Sequence, residues 1–267
     1  MRAYSVDEVG AYLARGYWAS TGGWYPPTFG EVVTVSLSGL TAANQTLARL
    51  ALDAWTVLGF EFQIVNSSSA DILLSNARNG GQTTWDRPGG LPRVNVGPDF
   101  TNAYGSAFGS YTYQSWLHEI GHALGLGHTG AYNGTGTYGI DNLFTNDSWQ
   151  MSVMSYFPQD ENTSINASFA YVLTPMPGDI AAIGRLYDLD QTAGAGNTIY
   201  FWGTNATGIY GHISRQIVSG ALKTPFTMTI VDRGGYDTLN FIGSNQPVTI
   251  DLRPGTINSA FGLRGNI

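Results

Sequence analysis

The sequence predicts an α+β protein: a mixed, twisted sheet with packed helices over residues 1–190, followed by a short all-β segment over 191–267. Three observations carry this. The first part of the chain alternates strand, helix, strand, strand, an order that builds a mixed sheet with helices on it. A histidine-bearing stretch from Trp116 to Thr129 has helical spacing. After Tyr187 that spacing disappears, and short β-like runs stand among Gly, Thr and Asn.

Taken in order, Ser5 and Glu8 form an S-x-x-E capping box ahead of Val9, Tyr12 and Leu13, which predicts a plain packing helix to about Arg15. Residues 16–30, rich in Gly, Pro and aromatics, read as an irregular lead-in. Glu31 to Ser38, E-V-V-T-V-S-L-S, alternates apolar and polar as a strand does. From Thr41 to Leu58 the recurrence of Leu47, Leu50, Ala51, Ala54, Trp55 and Leu58 predicts a long amphipathic helix. Phe60 to Val65 and Ala70 to Ser75 read as two more strands. Residues 77–110 read as loops with one short strand around Val94 to Val96. A helix from about Tyr111 to Leu126 follows, buried through Leu117, Ile120, Ala123 and Leu124, then a Gly- and Asn-rich loop, and a further helix within Thr174 to Tyr187. Strand-like runs lie at Thr198 to Trp202, Phe226 to Val231 and Val248 to Leu252.

Composition narrows the function. A net charge of −7 with no basic run argues against a nucleic-acid partner, because phosphate binding needs clustered Lys and Arg. With no cysteine there is neither disulfide nor thiolate ligand. No run approaches the length of a membrane span, and Met1 to Gly10 lacks the apolar core of a secretory signal peptide.

The chemistry concentrates in W-L-H-E-I-G-H-A-L-G-L-G-H-T, Trp116 to Thr129. His118 and His122, four residues apart, lie about 40° apart around a helix axis and face one point. Gly125 and Gly127 favour ending the helix, so that the chain can turn back and deliver His128 as a third nitrogen. Three imidazoles leave a fourth position on a zinc ion open, the arrangement of catalytic rather than structural zinc sites. Glu119 stands close enough to polarise a water there. Three of the four histidines fall in this motif; His212, in Y-G-H-I, reads as a surface or loop residue.

The full H-E-x-x-H-x-x-G-x-x-H pattern resembles the signature of the metzincin metallopeptidases. Downstream, S-V-M-S-Y resembles the methionine turn of the serralysin and astacin subset, which makes Met154 the turn residue and Tyr156 its tyrosine. The resemblance also implies that Asp179 braces that turn. V-D-R-G-G-Y-D-T-L-N-F, Val231 to Phe241, and A-G-A-G-N-T-I-Y, Ala193 to Tyr200, resemble the paired segments that open a serralysin's calcium-binding β-roll. Asp232, Gly234 and Asp237 offer hard oxygen ligands for calcium, and the family's pattern adds backbone oxygens of Gly194, Gly196 and Thr198. The chain departs from that pattern at Thr129, Gly194 and Asn197, where serralysins carry proline, arginine and an acid. It has no tandem G-G-x-G-x-D repeats, and reads as a fragment or a short variant.

The resemblance implies a secreted, extracellular, monomeric zinc endopeptidase acting on protein or peptide substrates, open to a proteinaceous inhibitor. His118, His122 and His128 would hold zinc, Glu119 would be the general base, and Tyr156 would be an additional zinc ligand that hydrogen-bonds the oxyanion. The strand at Ala70 to Ala77 is the expected exposed edge for an extended substrate. Two other readings are a matrixin-like peptidase, suggested by Thr129, and a non-catalytic binding or adhesive module, against which the intact Glu119 counts.

Overall fold

The computed structural model describes residues 1–23, 28–30, 32–87, 89–189, 192 and 194–267. Helix α1 (Val6–Ala11) starts on a complete capping box: Ser5 Oγ accepts from the Glu8 N–H, and the Glu8 carboxylate accepts from the Ser5 N–H. The helical path does not stop near Arg15. A π-helical turn, Tyr12–Gly16, carries it into α2 (Tyr17–Thr21), which closes at Gly22 in the left-handed conformation, φ 66°. The extra turn brings Tyr17 and Trp18 to the cleft described below.

Strand β1 (Val32–Gly39) buries Val33, Val35 and Leu37, the alternation read from the sequence; its expected first residue, Glu31, lies outside the described residues. Helix α3 (Ala42–Thr56) follows, then β2 (Glu61–Val65), β3 (Ile72–Ser75), β4 (Gly81–Thr84) and β5 (Arg93–Val96). The sheet order is β2-β1-β3-β5-β4, parallel throughout except for β4, which runs antiparallel to β5. Strand β3 is therefore flanked on both sides, and the expectation that Ala70 to Ala77 forms the exposed edge is wrong. The edges are β2 and β4, and β4, in the Gly-rich stretch read as loop, is the one beside the histidine helix. The same stretch also folds as helix α4 (Pro98–Tyr104), with Pro98 in its first turn.

Helix α5 (Tyr111–Ala123) carries the first two histidines. Ser110 caps it by accepting from the Tyr113 N–H, and Trp55 of α3 fixes it from the side, its indole N–H donating to the Leu117 carbonyl at 3.2 Å. The indole of Trp116 donates to Asn44 Oδ1 at 3.0 Å, a second tie between the two helices. Both tryptophans are fully buried, so each polar tip needs such a partner.

After α5 come β6 (Tyr171–Val172) and α6 (Pro177–Leu186). The boundary expected near residue 190 falls at 190 and 191, outside the described residues. The segment beyond it is not all β. Between β7 (Ile199–Phe201) and the short β8 (Phe226–Thr227) lies α7 (Gly208–Val218), which buries Ile209 and Ile213. His212 belongs to this helix, its ring edge-on to Phe108 with centroids 4.6 Å apart. Strand β9 (Thr238–Asn240) pairs with β7 in parallel, whereas the run expected as a strand at Val248 to Leu252 makes only an isolated bridge, Thr249 to Ser259. Strand β8 pairs with β6, and one hydrophobic cluster runs from Val9 and Trp55 to Ile213 and Met228.

Candidate metal centre

Helix α5 is capped by Leu124, and Gly125, at φ 105°, turns the chain back in a conformation that favours glycine. Gly127 has a different constraint: a Cβ there would lie 2.3 Å from the Tyr17 ring, and its N–H donates to the Leu13 carbonyl at 2.8 Å. The N-terminal helical segment thus packs directly on the turn that delivers His128. Tyr17 meets the His128 ring edge-on, centroids 5.2 Å apart, and the Trp18 indole donates to the Gly125 carbonyl at 3.0 Å.

One ring nitrogen from each of His118, His122 and His128 lies within 4.8 Å of the others. The opposite nitrogens are engaged: His118 Nδ1 is 2.8 Å from the Val153 carbonyl, His122 Nδ1 2.8 Å from that of Leu126, and His128 Nδ1 2.9 Å from that of Tyr132. A carbonyl only accepts, so each Nδ1 carries the proton and each Nε2 keeps its lone pair. His122 and His128 then present two lone pairs 2.9 Å apart, a repulsive arrangement unless a cation or a proton lies between them. Burial holds the rings neutral, pushing His118 down to about 4, His122 to about 3 and His128 well below its ordinary value. Three neutral, converging nitrogen donors, each oriented from behind by a carbonyl, fit a zinc ion.

Glu119 opens into the same cleft, a space of about 230 Å³ lined by Tyr17, Trp18, Gly81, Thr83, Trp85, His122, His128 and Tyr156 among others. Burial raises its carboxyl to about 8, opposed by a hydrogen bond from Thr83. Tyr156 stands at the mouth; its ring is 4.6 Å from that of His128, and its hydroxyl accepts from the Gly134 N–H at 3.0 Å.

Met154 is fully buried beneath α5. A Cβ on Gly121 would lie 2.7 Å from its sulfur, so the helix and the methionine meet only because residue 121 has no side chain. Asp179 lies under the same turn, accepting from Ser152 Oγ at 2.5 Å, Val153 N at 2.9 Å and Met176 N at 2.8 Å. Since the Val153 carbonyl in turn accepts from His118, Asp179 is linked to the first histidine through one residue.

The segments holding Gly194, Gly196, Thr198, Asp232, Gly234 and Asp237 lie side by side through the β7–β9 pairing. Their carboxylates already accept from the protein: Asp237 from Thr198 N at 2.8 Å, and Asp232 from Gly234 N and the Tyr200 hydroxyl, each at 3.1 Å. Among the described residues, only His118, His122 and His128 form a cluster of three or more His, Cys, Asp or Glu positioned to share an ion. A larger groove, about 820 Å³, touches Asp232 and Asp237 but is lined mainly by apolar side chains and shares no residue with the histidine cleft.

The sequence reading missed Tyr17, Trp18, Thr83, Trp85 and Asp147. Asp147, fully buried and in the loop after the third histidine, accepts from Thr129 and Ser155 hydroxyls at 2.6 and 2.7 Å and from the Tyr132 hydroxyl at 3.1 Å. Spacing could not have found it. Its partners are brought together by loops without periodicity.

No family model matches the chain. Its curated relatives are metallopeptidases. It is 35% identical over 161 residues to serralysin C of Dickeya chrysanthemi, an alignment covering 59% of this chain and 32% of that protein. It is 35% identical over 191 residues to the metallopeptidase AprA of Pseudomonas marginalis, covering 69% and 37% respectively. It is 28% identical over 302 residues to the metalloprotease AprA of Pseudomonas entomophila, covering 99% of this chain and 60% of the relative. The chain thus spans about a third of the first curated relatives it matches. Among solved structures it is similar to that of myroilysin, with a TM-score of 0.44 and 17% identity over 67% of this chain and 98% of that one. In sequence the chain is serralysin-like, a relative of the serralysins and AprA metalloproteases.

Proposed function

We propose that this protein is a secreted zinc-dependent endopeptidase of serralysin-like type. One observation carries the reading: three neutral imidazoles, His122 and His128 buried and His118 half-buried, turn their free nitrogens to one point, beside a buried carboxylate and an open antiparallel sheet edge. When bound by His118, His122 and His128, zinc supplies a Lewis acid that polarises a peptide carbonyl and acidifies water. Glu119 takes the proton of the attacking water and returns it to the leaving amine. The Tyr156 hydroxyl, at the mouth of the cleft, donates to the oxyanion as the carbonyl carbon becomes tetrahedral. An extended substrate pairs with β4, whose outer side is free of any other strand among the described residues.

Zinc analysis together with casein cleavage, with and without a chelator, tests this reading. Glu119→Ala is expected to retain zinc and lose nearly all activity. A variant that still cleaves casein overturns the role of Glu119, and a wild-type protein that binds zinc but cleaves nothing favours a binding module. A calcium ion between residues 194–198 and 232–237 belongs to the same proposal, supported by the parallel pairing that sets the two segments side by side. Added calcium is expected to raise the thermal midpoint; an unchanged midpoint removes calcium from the reading.

A further inference from the structure

The geometry points to Thr83 as the positioning residue for the Glu119 carboxylate. This inference rests on the peptidase reading and adds to it the group that aims its base. Thr83 Oγ1 lies 2.9 Å from Glu119 Oε2 and 2.7 Å from the Glu119 backbone carbonyl. Among the described residues, no other side chain hydrogen-bonds the carboxylate. The hydroxyl has a single proton, so it donates to one of these acceptors at a time. Both belong to the same residue, so either choice holds Thr83 against this point of α5.

The hydroxyl is rigidly mounted. Thr83 pairs with Val94 in the β4–β5 ladder, and Val94 is buried. A β-branched side chain on a strand has little χ1 freedom. The glutamate, with its longer side chain, would otherwise sample several rotamers across the cleft.

From the other side the carboxylate is bounded by Gly81. A Cβ there would stand 3.0 Å from Glu119 Oε1, tighter than most contacts, so the glycine leaves room for that oxygen. The edge strand thus fixes the base at both oxygens, a hydroxyl on one and the absence of a side chain on the other. Misplacing a reacting group by about an ångström can cost on the order of a hundredfold in rate.

The test compares Thr83→Val, Thr83→Ser and Gly81→Ala with the wild type in zinc-loaded protein, reading kcat and KM on a peptide, zinc affinity by chelator competition, and thermal midpoint. Thr83→Val is expected to lower kcat about 10- to 100-fold, with KM within about threefold and zinc affinity within about twofold of the wild type. Thr83→Ser restores the hydroxyl and is expected to keep kcat within about threefold, while Gly81→Ala lowers it by crowding the other oxygen. The assignment is overturned if Thr83→Val and Gly81→Ala keep wild-type kcat, if Thr83→Ser loses as much as Thr83→Val, or if the loss tracks zinc affinity or the midpoint. A zinc-bound wild type that cleaves nothing overturns the peptidase reading and this one with it; an active wild type with an unimpaired Thr83→Val overturns this one alone.

Discussion

Thr129, the residue after the third histidine, donates its hydroxyl to the buried Asp147 carboxylate at 2.6 Å, and Ser155, between Met154 and Tyr156, donates to the same oxygen at 2.7 Å. One carboxylate therefore joins the histidine loop to the methionine turn. The Tyr132 hydroxyl also hydrogen-bonds Asp147, and the Tyr132 carbonyl orients His128, so the network reaches the ring from behind. Removing the carboxylate as Asp147→Ala leaves three hydroxyls without their acceptor. The expected cost is about 2–4 kcal/mol of stability and about 10- to 100-fold in zinc affinity. Denaturant unfolding and chelator competition measure the two; an unchanged zinc affinity would show that Asp147 serves the fold alone.

Acidification has a definite sign for each group. Burial lowers the folded-state values of His118 and His122 from 6.5 to about 4 and about 3, and lowers that of His128 well below 6.5. Their contribution to stability is full above pH 6.5 and is lost as the pH falls, because the unfolded chain takes up protons that the folded one refuses. Asp147 and Asp179 act oppositely. Burial raises both from 3.8 to about 6, so their contribution is full below 3.8 and is lost as the pH rises through 6. Glu119, raised from 4.5 to about 8, acts with the aspartates, so three histidines face three carboxyls and the two sets nearly cancel in the metal-free protein between pH 6.5 and 5. The rings themselves take up protons only near pH 4, so bound zinc is expected to be retained down to about pH 4 when its content is measured after dialysis at stepped pH. Zinc released near pH 6.5 would contradict the neutral assignment of the rings.

The parts of the molecule that were legible from sequence are those with a period or a fixed spacing. His118, His122 and Glu119 sit on one helix because their spacing requires it, and the α3 stripe from Leu47 to Trp55 is buried as read. Strand β4 was not legible: Gly81 to Thr84 holds no apolar alternation, because it is held by pairing with β5 and by contact with Glu119. The edge expected at β3 fails because an apolar run shows that side chains are buried, not whether the strand's backbone has a neighbour on each side, and β3 has β1 and β5. Helix α7 did leave a trace, Ile209, Ile213 and Ile217 at intervals of four, but Gly208 and Gly211 diluted it and the surrounding turn-rich composition obscured it.

The helix–methionine contact predicts a sharp response at Gly121. An alanine Cβ there would meet the Met154 sulfur at 2.7 Å and the Trp55 ring at 3.1 Å, both fully buried. With no free space to move into, Gly121→Ala is expected to destabilise by about 1–3 kcal/mol, despite the better helix propensity of alanine. Pairing it with Met154→Ala should recover part of that loss, since the smaller side chain vacates the contested space. A Gly121→Ala protein as stable as the wild type, measured by denaturant unfolding, would mean that helix and turn are packed more loosely than this contact requires.

Ile213 tests whether the C-terminal segment folds with the rest. It is fully buried in α7, a helix that packs on α3, and belongs to the same hydrophobic cluster as Trp55 and Met228. Strand β8 is hydrogen-bonded to β6, so the segment's backbone also closes on the part of the chain that precedes it. Truncating a buried isoleucine to alanine costs about 2–5 kcal/mol, the spread reflecting how far the site can collapse. If the cluster is one cooperative unit, Ile213→Ala lowers a single unfolding transition, and zinc release moves with it although no histidine ligand has been touched. Two separated transitions in calorimetry, with the zinc-linked one unmoved, would instead place α7 in an independently folding unit.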